Sequence, residues 1–286
     1  MDLLKRRRPE WSPWLAVVDE ALRESLSSRW EAAVPGERGA EGPPAPLIAG
    51  TAVRLDGPLV QAFLDRLIEI ASRQGTPKMT TLKPALRANV DLAVLFRASV
   101  CQDHARIDRL AAESGADAEA FQAVVALVPL PFLQACNRRL AAAIPTDWME
   151  GYCPVCGSWP ALAEMRGIER SRYLRCGRCG GEWHAHILHC AYCGTNNHDD
   201  LVTLVPEKAG SPGVVEACRQ CRGYVKAFTR LQACPAATVI AEDLNSVGLD
   251  VAALEHGYAR PAGAGRAFDI MVNASGAERR FFAWNA

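Results

Sequence analysis

The first half of the chain carries apolar residues at the three- and four-residue spacing of helices. Trp14, Val18 and Leu22 recur every four positions after a Ser-Pro pair at residue 12, and the stripe continues to Trp30. A serine followed by proline is a common helix start, because the hydroxyl caps free N–H groups and proline fits the first turn. Further periodic runs follow, and the prolines at 129 and 131 interrupt the last of them. This pattern predicts an all-α helical domain over residues 1–148.

The pattern changes at about residue 149, where short alternating runs and frequent glycines replace the long periods. The new pattern occurs twice. Each copy has a Cys-x-x-Cys turn, a strand, a turn, a second strand, a second Cys-x-x-Cys turn and a third strand; the central turn of the second copy falls on residues 207–213. Such a repeat predicts two small β modules, at residues 149–188 and 189–232.

Residues 233–286 form the last predicted region. It begins with a helical run, and its tail, residues 261–286, carries no feature that suggests a role. The predicted fold is therefore α+β: an N-terminal all-α domain, two rubredoxin-like or zinc-ribbon-like β modules, and a C-terminal helix with a tail.

The four Cys-x-x-Cys turns are the strongest chemical signal in the chain. Each places two thiolates on one side of a tight loop, and two such turns supply the four sulfur ligands that Zn²⁺ or a single iron accepts. One Cys-x-x-Cys turn would be weak evidence for a metal site, but four such turns in two copies predict two Cys₄ sites. Redox thiols of the thioredoxin type would need a βαβ context that this sequence lacks. The eight candidate ligands are Cys153, Cys156, Cys176, Cys179, Cys190, Cys193, Cys218 and Cys221.

The pairing of the turns and the metal are separate questions. Sequential pairing, first with second and third with fourth, fits the hairpins of 19 and 24 residues that join them, whereas crossed pairing leaves those hairpins unexplained. Four thiolates do not distinguish iron from zinc. They do fill every coordination position, which favours a structural or electron-carrying site over metal-assisted hydrolysis.

The sequence gives weaker evidence for a functional site at the other cysteines and at the histidines. His184 and His186 share one face of a predicted strand, with Trp183 and Ala185 on the other. A secondary polar site at these two histidines is one hypothesis, and a solvated strand face is the alternative. Three cysteines stand at no ligand spacing and are predicted to pack in the core or in turns: Cys101, Cys136 and Cys234.

Composition limits the class of protein. The 286 residues include eleven cysteines and carry no formal net charge, and residues 151–232 hold only ten Lys/Arg against seven Asp/Glu. Nucleic-acid binding usually needs a dense basic surface, so the charge argues against it. The N-terminus lacks the apolar stretch of a secretory signal, and the apolar runs look too short to cross a membrane. We therefore expect a cytoplasmic protein with reduced cysteines.

Three segments carry a resemblance to a known family: GYCPVCGSWPALAEMR, RYLRCGRCGGEWHAHILHCAYCGT and EACRQCRGYVKAF. They resemble the paired rubredoxin-like turns of the formate dehydrogenase accessory proteins, the FdhE family. The likeness covers about residues 130–258, and DLNSVGLDVAALEHGY is similar to that family's C-terminal helix. The N-terminal half is similar only in being helical.

The resemblance implies a cytoplasmic, non-enzymatic maturation factor that respiratory formate dehydrogenases need for activity. It implies that the chain binds the catalytic subunit of its client and carries two rubredoxin-type iron sites on the eight cysteines, with zinc as the alternative occupant. It implies no nucleic-acid partner and no membrane insertion, and it leaves a homodimer open.

Two further functions remain as alternatives at this point. One is a rubredoxin-like electron carrier that acts on a redox enzyme, and the other, less favoured on charge, is a zinc-ribbon nucleic-acid-binding protein. A hydrolase or transferase finds no support, because the sequence has no glycine-rich phosphate loop and no nucleophile elbow.

Overall fold

The fold was analysed in a computed structural model that describes residues 1–36, 42, 44–74, 77–83, 90–206 and 213–275. Two features named above fall partly outside these residues. The turn predicted at 207–213 is described only at its last residue, and the tail is described only as far as residue 275.

Helices make up most of the described part of the N-terminal half. They are α1 Asp2–Arg7, α2 Ser12–Glu24, α3 Gly57–Gln74, α4 Pro77–Thr80, α5 Leu92–Cys101, α6 His104–Ser114, α7 Ala118–Val125 and α8 Leu130–Leu140. Aspartates start three of them: the side chains of Asp91, Asp103 and Asp117 accept hydrogen bonds from backbone N–H groups in the first turns of α5, α6 and α7. Each such cap contributes about 1 kcal/mol to helix stability.

Two details of the predicted helices differ from the structure. Helix α2 ends at Glu24, and the stripe continues into a 3₁₀ turn at Ser28–Ala33, where Trp30 is buried and donates its indole N–H to Glu24. Leu26, which the stripe placed on the apolar face, lies between these elements and is 71% exposed. Pro13 lies in the first turn of α2 as predicted, but Ser12 makes no capping hydrogen bond. The predicted break at the prolines is confirmed, because α7 and α8 are separate helices.

The strands of the described residues form two sheets. They are β1 Ala52–Asp56, β2 Pro160–Arg166, β3 Ser171–Cys176, β4 Glu182–His184, β5 Leu201–Leu204, β6 Gly213–Cys218, β7 Tyr224–Arg230 and β8 Met271–Ser275. Six of them form one sheet in the order β4-β3-β2-β7-β6-β5. Neighbours within each module are antiparallel, whereas β2 and β7, which join the modules, are parallel.

The predicted α+β fold with two Cys₄-bearing β modules is confirmed. The modules are not separate bodies, however, since one sheet runs through both of them. The domain boundaries at residues 148, 188 and 232 stay predictions.

The second sheet is an element that the sequence analysis did not predict. Strand β1, within the half predicted to be all-α, pairs in parallel with β8. Val53 and Leu55 point inward and their neighbours outward, which is the two-residue period of a strand. A run of five residues gives a weak signal, and its partner lies more than 200 positions along the chain, so the pairing could not be inferred locally.

Two C-terminal helices, α9 Val239–Asn245 and α10 Val247–Glu255, cover one face of the shared sheet. Their anchor is Lys226 of β7, whose ammonium group is fully buried and lies 2.7 Å from carboxylate oxygens of both Asp243 and Asp250. Tyr224 donates its hydroxyl to the same Asp250 at 2.7 Å. The helices are therefore held on the sheet by a buried ionic cluster as well as by apolar contacts.

One stretch, Ala118–Ala143, is apolar and long enough to cross a membrane by length and composition, contrary to the expectation that all such runs are too short. Its most apolar window is 78% buried inside the protein. This is the environment of a core helix, and one such stretch is weak evidence for a membrane span.

Candidate metal centres

The first cluster brings together two turns of the first module. Cys153 and Cys156 precede β2, Cys176 ends β3, and Cys179 lies in the turn between β3 and β4. Antiparallel pairing places Pro160 opposite Cys176, so the two turns meet at one end of the hairpin. The Sγ atoms of Cys153 and Cys179 are 3.5 Å apart, as are those of Cys156 and Cys176, and all four sulfurs lie within 4.8 Å of one another.

The second cluster repeats this arrangement. Cys190 and Cys193 precede β5, Cys218 ends β6, and Cys221 precedes β7. Pairing of Leu201 with Cys218 brings the turns together. The Sγ distances are 3.6 Å between Cys190 and Cys221 and 3.8 Å between Cys193 and Cys218. The structure thus assembles the cysteines as sequential pairing of the turns predicts.

Both sulfur sets have the dimensions of a metal site. A tetrahedral ion with metal–sulfur bonds of about 2.3 Å holds its sulfurs about 3.8 Å apart, close to the 3.5 to 3.8 Å between the opposed cysteines of the two clusters. Each cluster could therefore hold a metal ion, and zinc and a single iron both fit four thiolates.

The turns are closed by residues with left-handed backbone. Gly157, Gly180 and Gly194 follow the second cysteine of the first three turns, with φ of 67°, 73° and 74°. Each donates its amide to the carbonyl of the first cysteine of its turn. The fourth turn has Arg222 here, at φ 59°, a conformation that costs a side-chain-bearing residue about 1 kcal/mol. Its guanidinium donates to the carbonyls of His256 and Gly257 just beyond α10, which fastens that helix to the turn.

Backbone N–H groups point at the sulfurs in both clusters. The amide of Arg178 donates to the Cys176 sulfur and that of Gly181 to the Cys179 sulfur, each at 3.4 Å, and Gly223 makes the same kind of bond in the second cluster. Such bonds favour the charged thiolate, which is the form that binds metal.

The electrostatics of the first cluster favour a bound cation. Burial raises the pKa of the Cys153 thiol well above its usual value, while hydrogen bonds from Cys153 and its neighbours lower the pKa of Cys156. Four thiolates this close, without water, would repel one another strongly. A bound divalent or trivalent ion removes that repulsion.

The first cluster belongs to the core of the helical half. All four of its cysteines are fully buried. The Leu47 amide donates to the Pro154 carbonyl in the first turn at 2.7 Å. From the second turn, the Arg178 guanidinium donates to the carbonyls of Ser99 and Val100 near the end of α5, at 2.6 and 3.0 Å. Both turns are therefore tied to N-terminal segments.

The second cluster lies at the surface. Cys193 and Cys221 are exposed, whereas Cys190 and Cys218 are buried. Tyr192, between the two cysteines of the third turn, donates its hydroxyl to the Tyr224 carbonyl at 2.7 Å. Because Cys193 and Cys221 are exposed, two of the four cysteines of this cluster are accessible from solution.

The three other cysteines join neither cluster. Within the described residues, no further group of three metal-ligating side chains comes within 4.8 Å. Cys136 is buried in α8, and Cys101 lies at the end of α5, where burial raises its pKa to about 11. Cys234 is buried, and burial together with a hydrogen bond to Glu164 raises its pKa to about 11. These thiols are neutral at physiological pH.

The segment that carries His184 and His186 shows the expected alternation of buried and exposed residues as far as His186. Trp183 and Ala185 are buried, and His184 and His186 are exposed. Strand β4 stops at His184, and the alternation is lost after His186, since Ile187 is 54% exposed where continued alternation would bury it. The secondary polar site at these histidines stays a prediction.

Sequence reasoning missed a buried ionic cluster beside the first module. Glu164, fully buried in β2, accepts hydrogen bonds from Arg166, from Arg175 at 3.0 Å and from the Cys234 amide at 3.2 Å. Charged residues on a short strand are usually exposed, so nothing local marks this carboxylate. Its burial depends on the segment around Cys234, which crosses the module from a distant part of the chain.

Comparison with known proteins finds similarity to one family in this region. Two family models match consecutive segments: "FdhE, central domain" at residues 152–186 and "FdhE, C-terminal domain" at residues 188–265. Together these segments contain all eight clustered cysteines.

Individual relatives agree with the family models. "Protein FdhE homolog" from Pseudomonas aeruginosa is 38% identical over 116 residues, which is 38% of this chain and 37% of that protein. "Protein FdhE" from Escherichia coli O127:H6 is 34% identical over 111 residues, 38% of this chain and 35% of that protein. The chain thus matches little more than a third of the length of these curated relatives.

A solved structure is also similar. "The crystal structure of the FdhE protein from Pseudomonas aeruginosa" matches with a TM-score of 0.48 and 25% identity, covering 75% of this chain and 74% of that one. The two family models and the curated relatives show that residues 152–265 are similar to the FdhE family.

Proposed function

We propose that this protein is a cytoplasmic, non-enzymatic maturation factor for a formate dehydrogenase, which it serves by binding the catalytic subunit. The observation that carries this proposal is the pair of complete Cys₄ clusters within the segment that matches the FdhE family models. With four thiolates each, neither cluster leaves a coordination position for a substrate. The resemblance to formate dehydrogenase accessory proteins supplies the client.

The ligands of the two proposed metal sites are Cys153, Cys156, Cys176 and Cys179 in the first and Cys190, Cys193, Cys218 and Cys221 in the second. We propose rubredoxin-type iron in both, with zinc as the alternative occupant. Iron held this way supplies one-electron chemistry, whereas zinc contributes only to folding. Elemental analysis and a visible spectrum of protein purified without oxygen separate the two: iron gives thiolate charge-transfer bands, and zinc is colourless.

An exposed apolar pair is the best candidate for contact with the client. Ile168, in the turn between β2 and β3, is 98% exposed, and Leu231, just after β7, is 85% exposed. Parallel pairing of β2 with β7 puts both side chains at the same end of the sheet, where the Gly167 amide donates to the Arg230 carbonyl. This end is opposite the metal clusters. Exposed apolar side chains grouped in this way are typical of protein-binding surfaces.

The test combines activity with binding. A strain that lacks its own accessory protein is supplied with this chain, and formate dehydrogenase activity and co-purification of the catalytic subunit are measured. We expect the double variant I168D/L231D to keep its metal and lose the client. The matched control is L26D, which changes a leucine on the helical half that is 71% exposed. Unchanged co-purification with I168D/L231D would rule out this surface, and no activation by the wild-type chain would rule out the function.

Electron transfer is the second candidate, and the exposure of Cys193 and Cys221 favours it. An electron carrier needs its metal within reach of a partner, and only the second cluster meets that condition. A redox titration of the iron-loaded protein tests the idea. Reversible one-electron reduction supports a carrier, and zinc as the native metal excludes it.

A further inference from the structure

Three histidines line a groove between the two modules, and the proposed function makes no use of them. His184 ends β4, while His186 and His189 lie in the linker that leads to the second cluster. The groove has a volume of about 690 Å³, and Glu169 and Asn196 also line it. Imidazoles grouped beside a metal site could themselves be metal ligands.

The spacing of two of the rings fits a shared cation. The ring centroids of His186 and His189 are 5.6 Å apart, and their planes are tilted by 49°. Two imidazoles bound to one tetrahedral ion through bonds of about 2.0–2.1 Å hold their centroids about 5–5.5 Å apart. The separation of the two rings is therefore close to that of two imidazoles that share one ion.

The hydrogen bond of His189 leaves one ring nitrogen available to bind a metal ion. Its Nε2 lies against the carbonyl oxygen of Gly194, in the Cys190–Gly194 turn. A carbonyl oxygen only accepts, so Nε2 carries the proton, and the lone pair is on Nδ1. Metal-bound histidines commonly donate their second N–H to a carbonyl in this way, which fixes the tautomer and the ring.

The charge around the groove permits a cation. Arg172 is the one Lys or Arg among the described residues that line it. Its guanidinium donates to the Glu216 carboxylate at 2.7 Å, which neutralises its charge, and to the His186 carbonyl at 3.0 Å. Arg172 thus holds the linker in place without opposing a bound ion. The exposed Glu169 contributes a negative charge.

We propose that His186 and His189 form an external site for a divalent transition-metal ion, completed by water, and that this site passes the ion to Cys190 of the second cluster. The transfer step rests on the proposed metal-binding function of that cluster. His189 adjoins Cys190 in the chain, and Cys193 and Cys221 are open to solution. Thiolates bind soft and borderline ions more tightly than imidazoles do, so the ion moves from histidine to cysteine. Metal–nitrogen bonds break, metal–sulfur bonds form, and the thiol protons pass to the buffer.

Equilibrium dialysis of the full chain against Zn²⁺ tests the site. We expect two tightly bound zinc ions per chain and a third that binds at micromolar free zinc. The H186Q variant should keep the two tight ions and lose at least tenfold in affinity for the third. The control is H198Q, which changes an exposed histidine of the second module outside this groove and should match the wild type. Absence of the third ion, or its unchanged affinity in H186Q, overturns the site.

Isotope exchange tests the transfer. Labelled Zn²⁺ is added to the zinc-loaded protein, and intact protein is weighed by native mass spectrometry over time. We expect the faster-exchanging ion to exchange several-fold more slowly in H186Q than in H198Q or the wild type, and equal rates overturn the transfer. If the wild type holds no tight ions, the proposed metal-binding function and the transfer both fail. If it holds two tight ions but no third, the external site and the transfer fail while the proposed metal-binding function stands.

Discussion

The two Cys₄ clusters have the same motif and nearly the same sulfur spacing, but their surroundings differ. The four sulfurs of the first cluster are buried, and backbone and guanidinium hydrogen bonds join its turns to Leu47, Ser99 and Val100 of the helical half. The second cluster has Cys193 and Cys221 at the surface. Coordination chemistry alone would make these sites equivalent.

The difference leads us to expect two separate roles for the repeated motif. A buried ion that joins two parts of a core contributes to folding, because losing it leaves buried thiols without a partner. An exposed ion can exchange with solution or approach a partner protein. We therefore assign the first cluster to stability and the second to metal exchange and function.

The largest expected effect comes from replacing a cysteine of the first cluster. Apparent binding free energies of structural zinc are about 10–16 kcal/mol, comparable with the whole stability of a domain. We expect C156S to lose the first metal and to lower the melting temperature of the helical signal by more than about 15 °C, or to be insoluble. Circular dichroism and elemental analysis measure both quantities.

The matched variant is C193S in the second cluster. It should lose one metal ion while the helical half melts within a few degrees of the wild type, because the hydrogen bonds that join a cluster to Leu47, Ser99 and Val100 come from the turns of the first cluster. It should also fail to activate the client. Equal melting temperatures for C156S and C193S would show that the clusters contribute alike and that burial does not separate their roles.

The second prediction concerns Asp250, which holds the C-terminal helices on the sheet of the second module. Replacing it by asparagine leaves the buried ammonium of Lys226 with one carboxylate, that of Asp243. Breaking a buried pair costs about 3–5 kcal/mol, and we expect about 3 kcal/mol here because Asp243 remains. Urea unfolding measures the loss. The metal content of the first cluster should not change, and loss of that metal would contradict separate contributions of the two clusters to stability.

The same carboxylate predicts a pH dependence. Burial acts to raise the pKa of Asp250, but hydrogen bonds from Lys226 and Tyr224 outweigh it, so the pKa lies below its usual value. A carboxyl group with a lowered pKa in the folded state stabilises the protein above its unfolded pKa of about 4, and this contribution is lost as the pH falls through the folded value. The wild type should therefore lose more stability than D250N between pH 5 and pH 3.

The sequence predicted the metal sites more completely than the helices. Cys-x-x-Cys spacing and the repeat identify all eight cysteines and their grouping, because the ligand geometry is set within short hairpins. The end of α2 was misplaced, since the apolar spacing of Leu26 and Trp30 fits a helix although the backbone at Ser28–Ala33 is a 3₁₀ turn. Periodicity reports which face is apolar, and it does not report where hydrogen bonding changes.

The difference between the two clusters could not be read from the sequence. Cys156 and Cys193 occupy equivalent places in the repeat, and only tertiary packing buries the first and exposes the second. The same holds for the pairing of β1 with β8 and for the burial of Glu164. In each case the deciding contact comes from a segment far along the chain.

The third prediction uses a chelator to compare the clusters directly. A chelator must reach the ion, and the exposed sulfurs of Cys193 and Cys221 leave the second site open to attack. We expect two phases of metal release, with the first at least about tenfold faster, a difference of about 1.4 kcal/mol in barrier height. Absorbance of a coloured chelator complex follows both. C193S should show the slow phase alone, and a single phase in the wild type would contradict unequal access.

The smallest effect is expected outside both clusters, at Cys101. The C101A variant should keep the metal content of the wild type and lose about 1 kcal/mol of stability or less, since the side chain is small and only partly buried. Burial raises the pKa of this thiol to about 11, so it is protonated at neutral pH and reacts slowly with alkylating agents. In protein from which the chelator has released only the metal of the second cluster, mass spectrometry after brief iodoacetamide treatment should show Cys193 modified well before Cys101. Rapid modification of Cys101, or loss of metal in C101A, would mean that this thiol takes part in metal binding. The comparison of the two four-cysteine clusters would then have to include Cys101.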